Sequence, residues 1–123
     1  MTTILVVDDE PAIVETIAEL LTWEGHSVLT ATDGRRALEA LAAGPLPDLV
    51  IMDFMMPVKD GIQALRVIRG SVALAALRVI LTTAAPLSIP HDAPRYDALL
   101  VKPFSAQALR TTIAQVLAQA PAR

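Results

Sequence analysis

Five short runs without a charged residue recur along the chain: Ile4–Val7, Ser27–Ala31, Leu49–Met52, Val79–Thr82 and Leu99–Val101. Each is too short for a helix, and the stretches between them carry apolar residues at helical spacing. A strand that is apolar throughout has no face to offer water, so it must be covered on both sides, as in a parallel sheet wrapped by helices. The alternation therefore predicts an α/β fold, a doubly wound, parallel five-stranded sheet built from five β/α units.

The segments between the runs carry their own boundaries. Pro11 stands where a helix can start, Ile13, Ile17, Leu20, Leu21 and Trp23 form an apolar face, and Gly25 is a stop. Asp33 is placed to cap a helix with Ala37, Leu38, Leu41 and Ala42 that ends at Gly44-Pro45. Gly61 precedes Ile62, Leu65, Val67 and Ile68, and Ala106–Ala118 carries Leu109, Ile113, Val116 and Leu117 at amphipathic spacing. The fourth unit breaks the pattern. Its connection reads "AAPLSIPHDAPRYDA", in which Pro86, Pro90 and Pro94 remove backbone donors, so its helix is expected to be short or disordered.

A length of 123 residues fits one domain, expected to span 1–123, with 119–123 a frayed tail or the start of a linker. The net charge of −3, with Arg35-Arg36 and Arg66/Arg69 its densest basic groups, argues against a phosphate-neutralising nucleic-acid surface. There is no cysteine to form a disulfide or a thiolate metal site. No apolar run approaches the roughly 20 residues of a membrane span, and with Met1–Thr3 running directly into the first strand no signal peptide is expected. The expected location is cytoplasmic, without membrane contact.

In an open parallel sheet the carboxyl ends of the strands share one edge, where ligands bind. The residues there are Asp8-Asp9 after the first strand, Asp53 after the third, Thr82-Thr83 closing the fourth and Lys102 after the fifth. Three carboxylates gathered together repel, and a hard cation with oxygen ligands, Mg²⁺ or Mn²⁺, relieves them. Asp53 could then attack phosphorus, with Lys102 and a threonine hydroxyl spreading the charge of the transferring group. Seen alone, an acidic pair after a strand is more often a turn or a helix cap. The coincidence of acids, hydroxyl and Lys-Pro at one edge separates this chain from that case. His26 and His91 have no third partner at zinc-like spacing. Trp23 reads as core, Met52, Met55 and Met56 as ordinary apolar residues, and Arg66 and Arg69 as a solvated helix face.

The segments "VVDDEP", "DFMMPVKDG", "ILTTA" and "VKPF" resemble the signature segments of response-regulator receiver domains, in the family's order and across nearly the whole chain. The resemblance implies a flavodoxin-like (βα)₅ fold of strand order 2-1-3-4-5, and a phosphoacceptor module of two-component or phosphorelay signalling rather than an enzyme acting on others. A histidine kinase or phosphotransfer protein would be its donor. It implies Asp53 as phospho-acceptor, Asp9 as direct metal ligand, Asp8 as a metal-holding acid acting through water, and the Met55 backbone carbonyl as a further ligand. Thr83, followed by the small Ala84, matches the switch hydroxyl, with Thr82 the fallback, and Lys102 matches the phosphoryl-contacting lysine. Lys102-Pro103 is a possible cis peptide, and Met56-Pro57 and Asp60-Gly61 fit the turn after the acceptor strand.

Two features depart from the family. Leu99 occupies the position usually held by Tyr or Phe, and the proline-rich connection replaces the regular fourth helix. Three rival readings remain. A degenerate receiver would bind partners without phosphorylation. A haloacid-dehalogenase-type phosphatase would need a second Asp where Met55 stands. A flavin-binding domain of the same fold would meet repulsion from Asp8-Asp9-Glu10.

Overall fold

The computed structural model describes residues 2–56 and 60–119. In chain order the elements are β1 (Thr3–Val7), α1 (Pro11–Trp23), β2 (Ser27–Ala31), α2 (Gly34–Ala43), β3 (Leu49–Asp53), α3 (Gly61–Gly70), β4 (Arg78–Thr83), β5 (Ala98–Val101) and α4 (Ala106–Ala118), with a single 3₁₀ turn at Pro86–Ser88 between β4 and β5. All the strand pairs are parallel, in the order β2-β1-β3-β4-β5. The fold is thus the doubly wound parallel sheet expected from the alternation, in the flavodoxin-like strand order that the resemblance implies.

Strand alternation divides the interior into two cores. Leu5, Val7, Val50, Met52, Val79 and Leu81 face α2 and α3, meeting Ala37, Leu41, Ile62, Leu65 and Ile68. Ile4, Val6, Leu49, Ile51, Ile80 and Leu100 face α1 and α4, meeting Ile17, Leu21, Leu109, Ile113 and Val116. The three inner strands are buried on both faces. The edge strands are not: β2 leaves Ser27, Leu29 and Thr30 exposed and β5 leaves Val101 exposed, so the expectation of full burial fails at both edges.

The helix boundaries follow local chemistry. Asp33 accepts a hydrogen bond from the Arg36 N–H at 2.7 Å and caps α2. Asp60 and Gln63 form a reciprocal capping box at the start of α3, with bonds of 2.8 and 2.9 Å. Ser105 caps α4 by accepting from the Ala108 N–H at 3.0 Å.

Three expectations need correction. Trp23 is 89% exposed, because the inward face of α1 runs through Val14, Ile17 and Leu21, and two residues past Leu21 a side chain stands about 200° around the helix, on its outer face. Val67, read as part of the apolar face of α3, is exposed. Arg69 is no solvated residue: its side chain is 12% exposed and paired with Asp97. The irregular connection carries no α-helix, as its prolines dictate. It nevertheless packs Ile89, Ala93 and Tyr96 against the α2/α3 core, doing part of a helix's covering work.

Candidate functional site

Three strands deliver acids to one edge. β1 ends at Val7, so Asp8 and Asp9 follow at once, and the Asp8 N–H still donates to the Ala31 carbonyl at 3.2 Å, extending the ladder to β2. β3 ends on Asp53 itself, whose register partner on β4 is Thr82. Asp8 and Asp53 are buried, at 2% and 5% exposure, while Asp9 faces solvent. One carboxylate oxygen from each of the three lies within 4.8 Å of the others. The donor set is all oxygen, acidic and open on the Asp9 side, which fits a hard divalent cation and not a soft one.

Lys102 follows β5 directly, and its N–H donates to the Thr83 carbonyl at 2.8 Å, which fixes its backbone at the same edge. Its Nζ donates to Asp8 Oδ2 at 2.9 Å and lies 3.4 Å from Asp53 Oδ2. The Lys102-Pro103 bond is cis, and so is Gly44-Pro45, for which the residue pattern held no sign.

The charges do not cancel. Burial, and then the neighbouring Asp8 carboxylate, push the Asp53 pKa above its ordinary value, with Lys102 and a backbone hydrogen bond from Met55 pulling the other way. Burial opposes the charge on Lys102, but its hydrogen bond to Asp8 and its attraction to Asp53 and Asp8 outweigh that and raise its pKa.

Both threonines are buried. By alternation Thr82 follows Ile80 on the α1/α4 side of the sheet, the side of Ile51 and hence of Asp53. Thr83 follows Leu81 on the other side, and its Oγ1 accepts from the Ala85 N–H at 3.0 Å. Ala84 is exposed, and Leu99, beside Leu81 in register, packs into the α2/α3 core. Of the expected turn after the acceptor strand, Met56, Asp60 and Gly61 are described and Pro57 lies outside the described residues.

Gly61 has a role beyond the turn that its residue type suggests. A Cβ there would stand 2.6 Å from the Asp53 carbonyl oxygen and 3.0 Å from Phe54 Cα, so only glycine lets α3 start against the end of β3. The Gly61 N–H donates to the Phe54 carbonyl at 3.0 Å, closing the loop that leaves Asp53.

Residues 4–114 match the response regulator receiver domain. Among curated proteins, the chain is 36% identical over 104 residues to the probable transcriptional regulatory protein TcrX of Mycobacterium tuberculosis, covering 84% of this chain and 44% of that protein. It is 46% identical over 68 residues to the response regulator MprA of Mycolicibacterium vanbaalenii, covering 55% of this chain and 29% of that one, so the chain spans less than half the length of these relatives. The structure superposes on the receiver domain of the sensor histidine kinase PA1611 of Pseudomonas aeruginosa, solved with a magnesium ion in its active-site cleft, with a TM-score of 0.87, 27% identity, and 96% and 98% of the two chains covered. It also superposes on the response regulator TrrA of Thermotoga maritima in complex with Mg²⁺-BeF, with a TM-score of 0.81, 34% identity, and 94% and 99% covered. Sequence match, strand order and the acidic edge agree, and the chain belongs to the response regulator receiver domains, the signalling domains of two-component systems.

Proposed function

We propose that Asp53 accepts a phosphoryl group from a phosphohistidine on a histidine kinase or phosphotransfer protein. The observation that carries this reading is a buried aspartate at a strand end, 3.4 Å from a lysine ammonium and grouped with two further acids. An Asp53 carboxylate oxygen attacks phosphorus in line with the phosphorus–nitrogen bond of the donor. That bond breaks, its electron pair returns to the imidazole, and an acyl phosphate forms on Asp53.

Each neighbour has a task in that step. Lys102, held between Asp8 and Asp53, exchanges part of its carboxylate contact for a phosphoryl oxygen as negative charge moves outward from Asp53. Asp8, Asp9, Asp53 and the Met55 carbonyl would hold Mg²⁺ or Mn²⁺, which supplies positive charge to the phosphoryl oxygens. Thr83 is the switch hydroxyl: turning toward the phosphoryl group, it gives up the Ala85 N–H that it accepts in the present structure. Thr82, on the Asp53 side of β4, is the alternative donor. The exposed, small Ala84 keeps the approach to Asp53 open.

The whole of 1–123 acts as one receiver, with its donor and its location in the cytoplasm and without direct contact to nucleic acid. Among the described residues no helix is long and apolar enough to cross a membrane. Intact-mass analysis after treatment with acetyl phosphate and Mg²⁺ tests the reading. One phosphate adds to the wild type, none without Mg²⁺ and none to Asp53→Asn. Equal labelling of Asp53→Asn overturns the assignment.

A further inference from the structure

β5 is the strand whose own sequence says least about where it belongs. It reads Ala-Leu-Leu-Val, apolar at all four positions, and it lies at the sheet edge with β4 as its one partner. A one-residue slip would exchange one apolar side chain for another on each face, so alternation does not specify its register. The slip matters at the top, because Lys102 follows at once. One residue turns the lysine to the other face, and two residues move it by about 6.6 Å, out of reach of both carboxylates.

The register is instead set at the foot of the strand, at the edge opposite the acidic site. The Asp97 N–H donates to the Val79 carbonyl at 2.7 Å, and the Val79 N–H donates back to Asp97 Oδ2 at 2.8 Å, so one residue grips both backbone groups of Val79. Asp97 is held in turn by Arg69, at the end of α3. The Arg69 Nη2 donates to Asp97 Oδ2 at 3.3 Å, its Nε to the Arg95 carbonyl at 2.9 Å, and its Nη1 to the Ala75 and Leu77 carbonyls at 3.0 and 2.5 Å. Arg95 also pairs with Asp97, from a position where its side chain is 38% exposed against 12% for Arg69. Arg69 therefore ties together the end of α3, the approach to β4, the end of the proline-rich connection and the entry to β5.

We infer that Arg69 is a positioning residue for Lys102, acting through Asp97 and the register of β5, and that this pin replaces the register control a regular helix before β5 would provide. The inference rests on the phosphoacceptor reading, in which Lys102 contacts the phosphoryl group. It separates Arg69 from residues that merely stabilise, because its effect must pass through one side chain some five residues along the chain from Asp97.

A double-mutant cycle tests this, reading the affinity for fluoroberyllate in the presence of saturating Mg²⁺ by ¹⁹F NMR. Arg69→Gln weakens binding in the native background by about tenfold and in the Lys102→Ala background by less than about twofold, the non-additivity expected of residues that act in series. Mg²⁺ affinity, set by Asp8, Asp9 and Asp53, is unchanged in Arg69→Gln. Arg69→Lys keeps the charge but not the fork of donors to three carbonyls, and gives a smaller loss with the same dependence on Lys102. It serves in place of Arg69→Gln if that variant does not fold. Equal losses in both backgrounds, or no loss in either, overturn the inference while leaving the functional reading in place. Absence of fluoroberyllate binding to the wild type overturns that reading and the inference with it.

Discussion

The sheet carries a charged cluster at each end of its strands, and the two are built on opposite terms. At the foot, the Asp97 carboxylate meets two guanidinium groups, and the donors of Arg69 that escape it reach three backbone carbonyls. At the top, the Asp8, Asp9 and Asp53 carboxylates share the Lys102 ammonium. The lower cluster sets two guanidinium charges against one carboxylate, but backbone carbonyls take up the remaining donors of Arg69 and it closes on itself through hydrogen bonds. The upper one is left with more negative charge than its lysine can answer, in a place half withdrawn from water. A cluster whose donors are all taken up fixes structure, whereas one with excess negative charge stores a demand that a cation and a phosphoryl group can meet.

The largest effect is expected from breaking the closed cluster. Arg69→Ala leaves Asp97 half paired and the Arg95 and Leu77 carbonyls without the Arg69 donors, and should cost about 3 kcal/mol in chemical denaturation, the range for breaking a buried ion pair. A loss no greater than that of Arg66→Ala, whose pair with Asp92 is exposed and 3.9 Å long, would erase the distinction between pinned and solvated arginines.

Next is the join beneath Asp53. Gly61→Ala forces a Cβ to within 2.6 Å of the Asp53 carbonyl oxygen, and backbone must shift to admit it. Overpacking of this kind should cost about 2 kcal/mol and also impair phosphorylation. A variant as stable and as readily phosphorylated as the wild type would show that β3 and α3 do not need that approach.

A smaller effect, of opposite sign, belongs to the open cluster. Asp53 holds its proton more tightly when folded than when unfolded, so its contribution favours the folded state most below its ordinary value of 3.8 and fades as pH rises through the raised folded value. Metal-free Asp53→Asn should therefore gain stability over the metal-free wild type across that window and keep the gain at neutral pH. A variant less stable than the wild type at neutral pH would mean that Lys102 more than balances Asp53.

The two clusters also differ in how far they can be read from sequence. Asp8, Asp9, Asp53 and Lys102 are legible because each sits directly after an apolar run, and a parallel sheet gathers such positions at one edge. Arg69 and Asp97 are not, because a lone arginine at a helix end and an aspartate among prolines carry no periodic signal, and their meeting depends on how the irregular connection returns to β5. Trp23 is misplaced by its residue type: a large apolar side chain suggests core, although helical spacing sets it about 200° around from Leu21, on the outer face. The capping box at the start of α3 is different, since an acid followed three residues later by glutamine, as in Asp60 and Gln63, carries that signal in the residue types alone. The role of Gly61 lies in a clearance of 2.6 Å that no pattern of residue types expresses.

The central claim is that the upper cluster is short of positive charge and takes a divalent cation to supply it. Thermal unfolding with and without saturating Mg²⁺ tests this most directly, since a ligand that prefers the folded state raises the melting temperature. The wild type should melt higher with Mg²⁺, the rise should vanish in Asp9→Ala, and it should persist in Asp97→Asn, which leaves the three upper carboxylates in place. A wild type indifferent to Mg²⁺, or an Asp9→Ala variant that responds as the wild type does, would contradict the account.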